Sequence, residues 1–344
     1  MTNPEKLASL QKLADKTDLN DRALNDFFIE KAKREGGRKL PYAGVSTFLK
    51  APQKTIEDGP DIGLFGVPFD LAVTNRPGTR FGPQQVRQLS VMAAGPKDHA
   101  TGIVPAMLVD FADCGDVPFE SVYDLDAATK EIEAFYHKVI DQNIMPLSVG
   151  GDHSISYPIL KAVGRDRPVC LIHIDAHADT GGSFNGSRFH HGGPFRNAAL
   201  SGVIDPEKTI QIGIRGRAEP HWDFSYDSGM RVIHIEEFYE MGIDAVIAEA
   251  RALVGDLPTY ISFDVDSIDP AFTPGTGTPE VGGFIPREVQ AMIRGFQGLN
   301  LVGADVVEVS PPYDQSGNTA LVASTMLWEL LCILAHSLHS RKSQ

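Results

Sequence analysis

Residues 171–179 read LIHIDAHAD, an apolar run that ends in Asp175, His177 and Asp179 at i, i+2 and i+4. On an extended chain that spacing aims three ligand-type side chains at one face. No Lys or Arg lies between them, so convergent carboxylates would repel one another and raise their own pKa values unless a cation intervened. Divalent metal ions are the usual compensation. The i, i+2 arrangement recurs at Asp264 and Asp266 in TYISFDVD, and His153 sits in GGDHS, where glycines allow the sharp turn that presents an imidazole. His153, Asp175, His177, Asp179, Asp264 and Asp266 together offer two imidazoles and four carboxylates. That is too much negative charge for one ion and suits two. Oxygen-rich ligation with some nitrogen favours a hard to borderline ion, Mn²⁺ first and Ni²⁺ as the main alternative, with Co²⁺, Fe²⁺ and Zn²⁺ also compatible. Two such ions, about 3.5–4 Å apart, make water acidic enough to act as a nucleophile near neutral pH.

These groups need a scaffold that delivers them to one place. Short apolar runs recur at 61–68, 106–113, 145–151, 168–175, 209–215, 230–236, 259–266 and 301–309. Most are almost continuously apolar, as expected of strands buried on both faces of a parallel sheet. Helical patterns fall between them at 83–93, 122–141, 154–163, 237–253, 286–297 and 319–339. Such alternation predicts βαβ units with helices on both faces of the sheet. Chemistry in open α/β sheets sits at the carboxyl ends of strands. GGDHS follows the third run, Asp175 to Asp179 end the fourth, Asp264 and Asp266 end the seventh, and Glu308 ends the eighth. His173 and His234, inside apolar runs, read as interior or supporting groups.

Residues 1–55 differ from the rest. They are polar, with a weak helical pattern through Leu7, Leu10, Leu13 and then Leu24, Phe27 and Phe28, broken by EKAKREGGRK. They read as an N-terminal extension, either a surface arm reaching a neighbouring subunit or a loose tail, ahead of one catalytic domain over 56–344. The chain carries 31 Lys and Arg against 45 Asp and Glu, a net charge of −14, which argues against nucleic acid and anionic membranes as partners. Three scattered cysteines exclude a disulfide framework. There is no signal-peptide pattern and no stretch that reads as a bilayer span, so the expected location is the cytoplasm.

GGDHS, DAHAD and SFDVDSIDP, the last followed by GTGTPEVGG, resemble the three metal motifs of the ureohydrolases, the arginase and agmatinase family. GVPFD at 66–70, RPGTRFGP at 76–83 and VVEVSPPYD at 306–314 are similar to the agmatinase branch. The resemblance spans roughly 60–340 and implies a three-layer αβα fold with a central eight-stranded parallel sheet. It also implies roles. His153 would bind one ion and His177 the other, with Asp175 and Asp264 bridging and Asp179 and Asp266 completing either side. Water would attack the guanidinium carbon, Asp179 would carry its proton to the leaving nitrogen, and urea and an amine would result. Glu308 would pair with the guanidinium, and His191 would shuttle protons. A homotrimer or hexamer is implied, with a related second subunit as one form of it.

The substrate's tail is left open. GGSFNGSRFHHGG departs from the agmatinase pattern at His190–His191 and at Gly193. Arg188 and His190 are poor neighbours for the ammonium tail of agmatine. Arg188 suits a carboxylate tail, as in guanidinobutyrate or guanidinopropionate. Phe184, Phe189 and Trp222 would instead close an apolar pocket around guanidine, an alkylated guanidine or a biguanide such as metformin. Trp222 and Tyr226 line either that pocket or an oligomer contact. The competing readings are another dinuclear-metal amide or amidine hydrolase on the same fold, and a catalytically idle subunit of a hetero-oligomer.

Overall fold

The structure, a computed structural model, describes residues 3–12, 22–34, 40, 42–216 and 222–343. Leu13, residues 35–39 of EKAKREGGRK and residues 217–221 ahead of Trp222 lie outside the described residues. The chain forms two compact units, Met1–Val45 and Ser46–Gln344. The first holds helices Pro4–Gln11 and Arg22–Arg34. Asn3 caps the former by accepting the Glu5 N–H at 3.0 Å, and Pro4 occupies the first helical position, where a missing N–H costs nothing. In the second, the Phe48 N–H donates to Asp113 at 2.9 Å, and Phe48, Leu49 and Ala51 are buried in the core.

Eight strands make the second unit's sheet: β1 (Ile62–Val67), β2 (Phe111–Asp116), β3 (Met145–Gly150), β4 (Val169–Ile174), β5 (Ile204–Ile214), β6 (Arg231–His234), β7 (Thr259–Asp264) and β8 (Leu301–Val307). Their order is β2-β1-β3-β8-β7-β4-β5-β6, and every pairing is parallel. Alternate side chains feed two cores. Ile62, Leu147, Ile172, Ile261 and Val306 face one helical layer, which includes Gly82–Ala93, Ile243–Val254, Pro286–Gly295 and Asn318–Lys342. Phe65, Leu171, Tyr260 and Val307 face the other, built from Leu125–Asp141, Ser156–Val163 and Pro194–Leu200. This is the predicted three-layer arrangement around an eight-stranded parallel sheet.

Three elements differ from the sequence pattern. The run at 106–113 splits: Pro105–Leu108 makes one helical turn, started by Pro105, and the strand begins at Phe111. The helix expected over 237–253 is two helices, Ile235–Met241 and Ile243–Val254, separated by Gly242 at φ +80°. The closing helix runs over Asn318–Lys342, and by length and composition it could cross a membrane, which corrects the expectation that no stretch would. In the fold it is a core helix instead, with 72% of its most apolar window buried. It also carries the buried Glu329, which accepts hydrogen bonds from Arg294 Nε at 2.9 Å and Gln290 at 3.0 Å.

Phe263 is fully buried near the end of β7, in register with Ile174 of β4 and Val306 of β8. Phe263→Ala is expected to lower unfolding stability by about 3–5 kcal/mol, measured by urea denaturation. An unchanged midpoint would show that this strand end does not anchor the core.

Candidate metal centre

The carboxyl ends of β3, β8, β7 and β4 lie side by side in the middle of the sheet, and each delivers part of the site. After β3 the chain turns at Gly151, where a Cβ would fall 2.3 Å from the Phe69 carbonyl oxygen and 2.6 Å from that of Val67. Only glycine fits there. Asp152 then caps the following turn, accepting the Ser154 N–H at 3.0 Å, and His153 turns inward, fully buried. Ile174 of β4 and Phe263 of β7 are in register, so the next residues, Asp175 and Asp264, emerge as neighbours.

The motif does not continue as a strand, contrary to the alternation read from its spacing. β4 stops at Ile174, and Asp175 accepts the His177 N–H at 2.6 Å in an Asx-type turn. Asp264 accepts the Asp266 N–H at 2.7 Å in the same way. Asp179 has φ +52° and Glu308 φ +65°, left-handed conformations that cost of order 1–3 kcal/mol each and cluster at functional sites.

Two groups of donors result. His153, His173, Asp175 and Asp179 converge, as do Asp175, His177 and Asp266, with Asp175 common to both. His153 Nδ1 lies 3.0 Å from Asp175 Oδ2, 2.9 Å from Asp179 Oδ2 and 3.2 Å from Asp264 Oδ2, while His177 Nδ1 lies 3.1 Å from Asp266 Oδ2. His153 Nε2 bonds the Ser262 hydroxyl at 2.8 Å, and that hydroxyl donates to Asp305 at 2.6 Å. This leaves Nδ1 to offer a lone pair, and none of the three carboxylate oxygens stands in hydrogen-bonding alignment with it. A buried lone pair facing three carboxylates is the arrangement a cation would satisfy. The donor set fits a pair of divalent ions, whose four positive charges match Asp175, Asp179, Asp264 and Asp266.

The electrostatics point the same way. Burial, then Asp266 and Asp175, push the Asp264 pKa well above the usual carboxylate range. Burial and Asp175 bring Asp266 up to about 6 against the pull of His177. Asp175 goes the other way: burial opposes its charge, but His173, His153 and His177 hold it well below the usual value. Burial works against a charged His153, yet Asp175, Asp179 and Asp264 raise its pKa well above the ordinary imidazole value.

One residue layer below, a polar row crosses five strands in register: Ser148, Asp305, Ser262, His173 and Gln211, all fully buried. Asp305 accepts from Ser262, from Ser156 at 2.7 Å and from Tyr260 at 2.9 Å. His173 Nε2 donates to Asp175 at 2.7 Å, and its Nδ1 faces the Gln211 amide at 3.1 Å, so both of its nitrogens are engaged. Sequence reading passes over Ser262 and Asp305; Ser262 lies two residues before Asp264 and so on the same strand face, which is the one signal that marks it, whereas Asp305 is followed at that spacing by the apolar Val307 and carries no such signal.

A cavity of about 350 Å³ opens above the carboxylates. Asp179, Asp264, Asp266 and His177 form its floor; Thr74, Thr278, His190, His191, Phe184 and Ala178 are in its walls. Glu308 lies beside it, 1% exposed. Its Oε1 accepts the His153 N–H at 2.9 Å and lies 2.9 Å from His191 Nδ1, while its Oε2 has no partner. Glu308 raises the His191 pKa to about 9 against the effect of burial. The Thr74 N–H aimed at His191 Nε2 from 3.1 Å opposes protonation there. Arg188 and Trp222 are not among the lining residues. Arg188 is exposed with its guanidinium over the Phe189 ring, 4.6 Å from the centroid. Trp222 packs with Ala178, Ile214 and Val232 and meets the His234 ring at a tilt, centroids 4.6 Å apart, while His234 Nε2 meets the Tyr226 hydroxyl at 2.6 Å.

The Arginase family profile matches residues 60–332. Guanidinopropionase of Pseudomonas aeruginosa is 50% identical over 86% of this chain and 93% of its own length. Mitochondrial agmatinase of Gallus gallus is 45% identical over 85% of this chain and 86% of its own. Among solved structures, proclavaminate amidino hydrolase from Streptomyces clavuligerus superposes with a TM-score of 0.83 at 38% identity, covering 87% of this chain and all of that one. The chain belongs to the arginase family, as a metal-dependent ureohydrolase that cleaves a C–N bond of a guanidino compound to release urea and an amine.

Proposed function

We propose that the substrate is a small guanidino compound whose tail is uncharged, such as guanidine, an alkylated guanidine or a biguanide. The observation that carries this reading is the cavity wall. Above the carboxylate floor, the described lining residues include no Asp or Glu to pair with an ammonium and no Lys or Arg to pair with a carboxylate. Phe184 and Ala178 offer apolar surface instead. An ammonium tail buried against such a wall would lose its hydration without compensation, and the His191 imidazole that could meet a carboxylate is already held by Glu308 at 2.9 Å. A guanidino acid is the second reading, supported by Arg188 on the same loop as His190 and by the name of the 50% identical guanidinopropionase.

The residues supply binding and proton handling. The free Oε2 of Glu308 pairs with the guanidinium, while its Oε1 is fixed by His153 and His191, so the carboxylate cannot rotate away. Asp179, on the cavity floor, takes a proton from the attacking water and passes it to the leaving nitrogen. His191 lines the cavity and exchanges protons with solvent. The two ions, when bound, supply Lewis acidity and bring the pKa of water near neutrality. Mn²⁺ suits the four carboxylates and two imidazoles, with Ni²⁺ as the alternative. The oligomer in this reading is a homotrimer or hexamer, or an assembly with a related subunit, and the compartment is the cytoplasm.

Asp264→Asn is expected to abolish urea release and metal retention together, read by urea assay and elemental analysis; an active, metal-free variant would end the mechanism. Asp305→Asn, which touches no metal ligand directly, should weaken metal affinity by roughly 10–100-fold in a chelator competition titration. A urea-release screen with Mn²⁺ or Ni²⁺ across guanidine, alkylguanidines, metformin, agmatine and guanidino acids tests the tail. Faster turnover of guanidinopropionate or guanidinobutyrate than of every uncharged compound would favour the second reading.

A further inference from the structure

The loop over 180–193 forms one side of the cavity and carries a group that the mechanism does not use. His190 is 8% exposed and lines the cavity beside Phe184, whose ring is 5.9 Å away. Its Nε2 lies 2.6 Å from the carbonyl oxygen of Gly182, so the hydrogen is on Nε2. Its Nδ1 is buried and has no hydrogen-bond partner. The ring has this seat because Gly193 follows: a Cβ there would fall 3.1 Å from His190 Nε2 and 3.1 Å from the Gly181 carbonyl oxygen. The other polar wall groups are engaged, Thr278 with Asp266 at 3.2 Å and Thr74 with His191 at 2.7 Å.

An imidazole with Nε2–H committed to a carbonyl presents a lone pair at Nδ1. A buried acceptor with no protein partner favours a ligand that brings a donor and disfavours one that covers it with methylene. We propose that His190 Nδ1 accepts a hydrogen bond from an N–H or O–H in the substrate's tail. His190 thereby selects uncharged guanidino compounds with a donor-bearing tail over purely alkyl ones. The assignment rests on the uncharged-tail reading and adds to it the chemistry of the tail.

A matched pair of substrates tests it: N-(2-hydroxyethyl)guanidine and N-propylguanidine, equal in heavy atoms and differing in one hydroxyl. The metal-loaded wild type should prefer the hydroxyethyl compound by roughly tenfold in kcat/KM, mostly through KM. His190→Phe keeps a ring but removes the acceptor, and the preference should vanish. His190→Asn, whose amide oxygen can stand in for Nδ1, should retain part of it. If His190 only supports the loop, both variants slow both compounds alike with the ratio preserved, and the assignment falls. A wild type that turns over both compounds equally also overturns it while leaving the uncharged tail standing. A wild type that hydrolyses guanidinopropionate but neither compound overturns both.

Discussion

Asp175 and Asp264 leave the sheet side by side, from adjacent parallel strands in register, and Asp179 and Asp266 follow within a turn of each. Four carboxylates packed this closely, nearly all removed from water, are an unstable arrangement unless positive charge is placed among them. The opposing shifts of Asp175 and Asp264 express the conflict: one is held ionised by imidazoles while the other is driven toward its neutral form. A bound pair of divalent ions would relieve that conflict.

What keeps the loops from relaxing apart is the layer beneath them. Parallel pairing places Ser148, Asp305, Ser262, His173 and Gln211 across five strands at one level. Each of the central three either grips one of the candidate metal donors or grips a residue that does. Ser262 holds His153 and fixes its tautomer, His173 holds Asp175, and Asp305 is held in turn by three hydroxyls. Because the row lies within strands, its spacing is set by backbone hydrogen bonds and is stiffer than any loop. Phe195 closes this region from the helical side, with ring contacts to His153 and His173 at 5.1 and 4.3 Å.

The cavity divides the labour differently. Its floor is made of carboxylates and an imidazole, and its walls come from loops carrying polar and apolar groups without Asp, Glu, Lys or Arg among the described lining residues. Glu308 belongs to the floor in origin, as the residue after β8, and its left-handed backbone turns the carboxylate back toward His153 and His191. The 180–193 loop supplies Phe184, His190, His191 and Gly192 to the cavity. A tight turn at Asn185 and Gly186, both with positive φ, presents Phe184, and Gly193 makes room for His190.

Side-chain chemistry is written in the linear chain, because apolar runs ending in Asp or His mark both a buried strand and the polar group at its end. Reading it in order yields the eight strands, with β2 and β5 starting about five residues from where the pattern puts them, most of the helices, and the carboxylates and imidazoles at the strand ends. It misreads local geometry where one residue overrides the pattern: Pro105 starts a helical turn inside an apolar run, and Gly242 divides a helix. It also takes 171–179 as a single extended face, whereas the strand stops at Ile174 and a turn does the aiming. Strand order is the larger gap. That β3, β8, β7 and β4 are neighbours, bringing residues more than 150 positions apart into contact at His153 and Glu308, depends on long-range pairing that no local pattern encodes. The same holds for the placement of Arg188 outside the cavity and His190 within it, two residues apart on one loop. There the packing of rings and the space beside a glycine settle which way a side chain turns, and these exist only once the chain has folded.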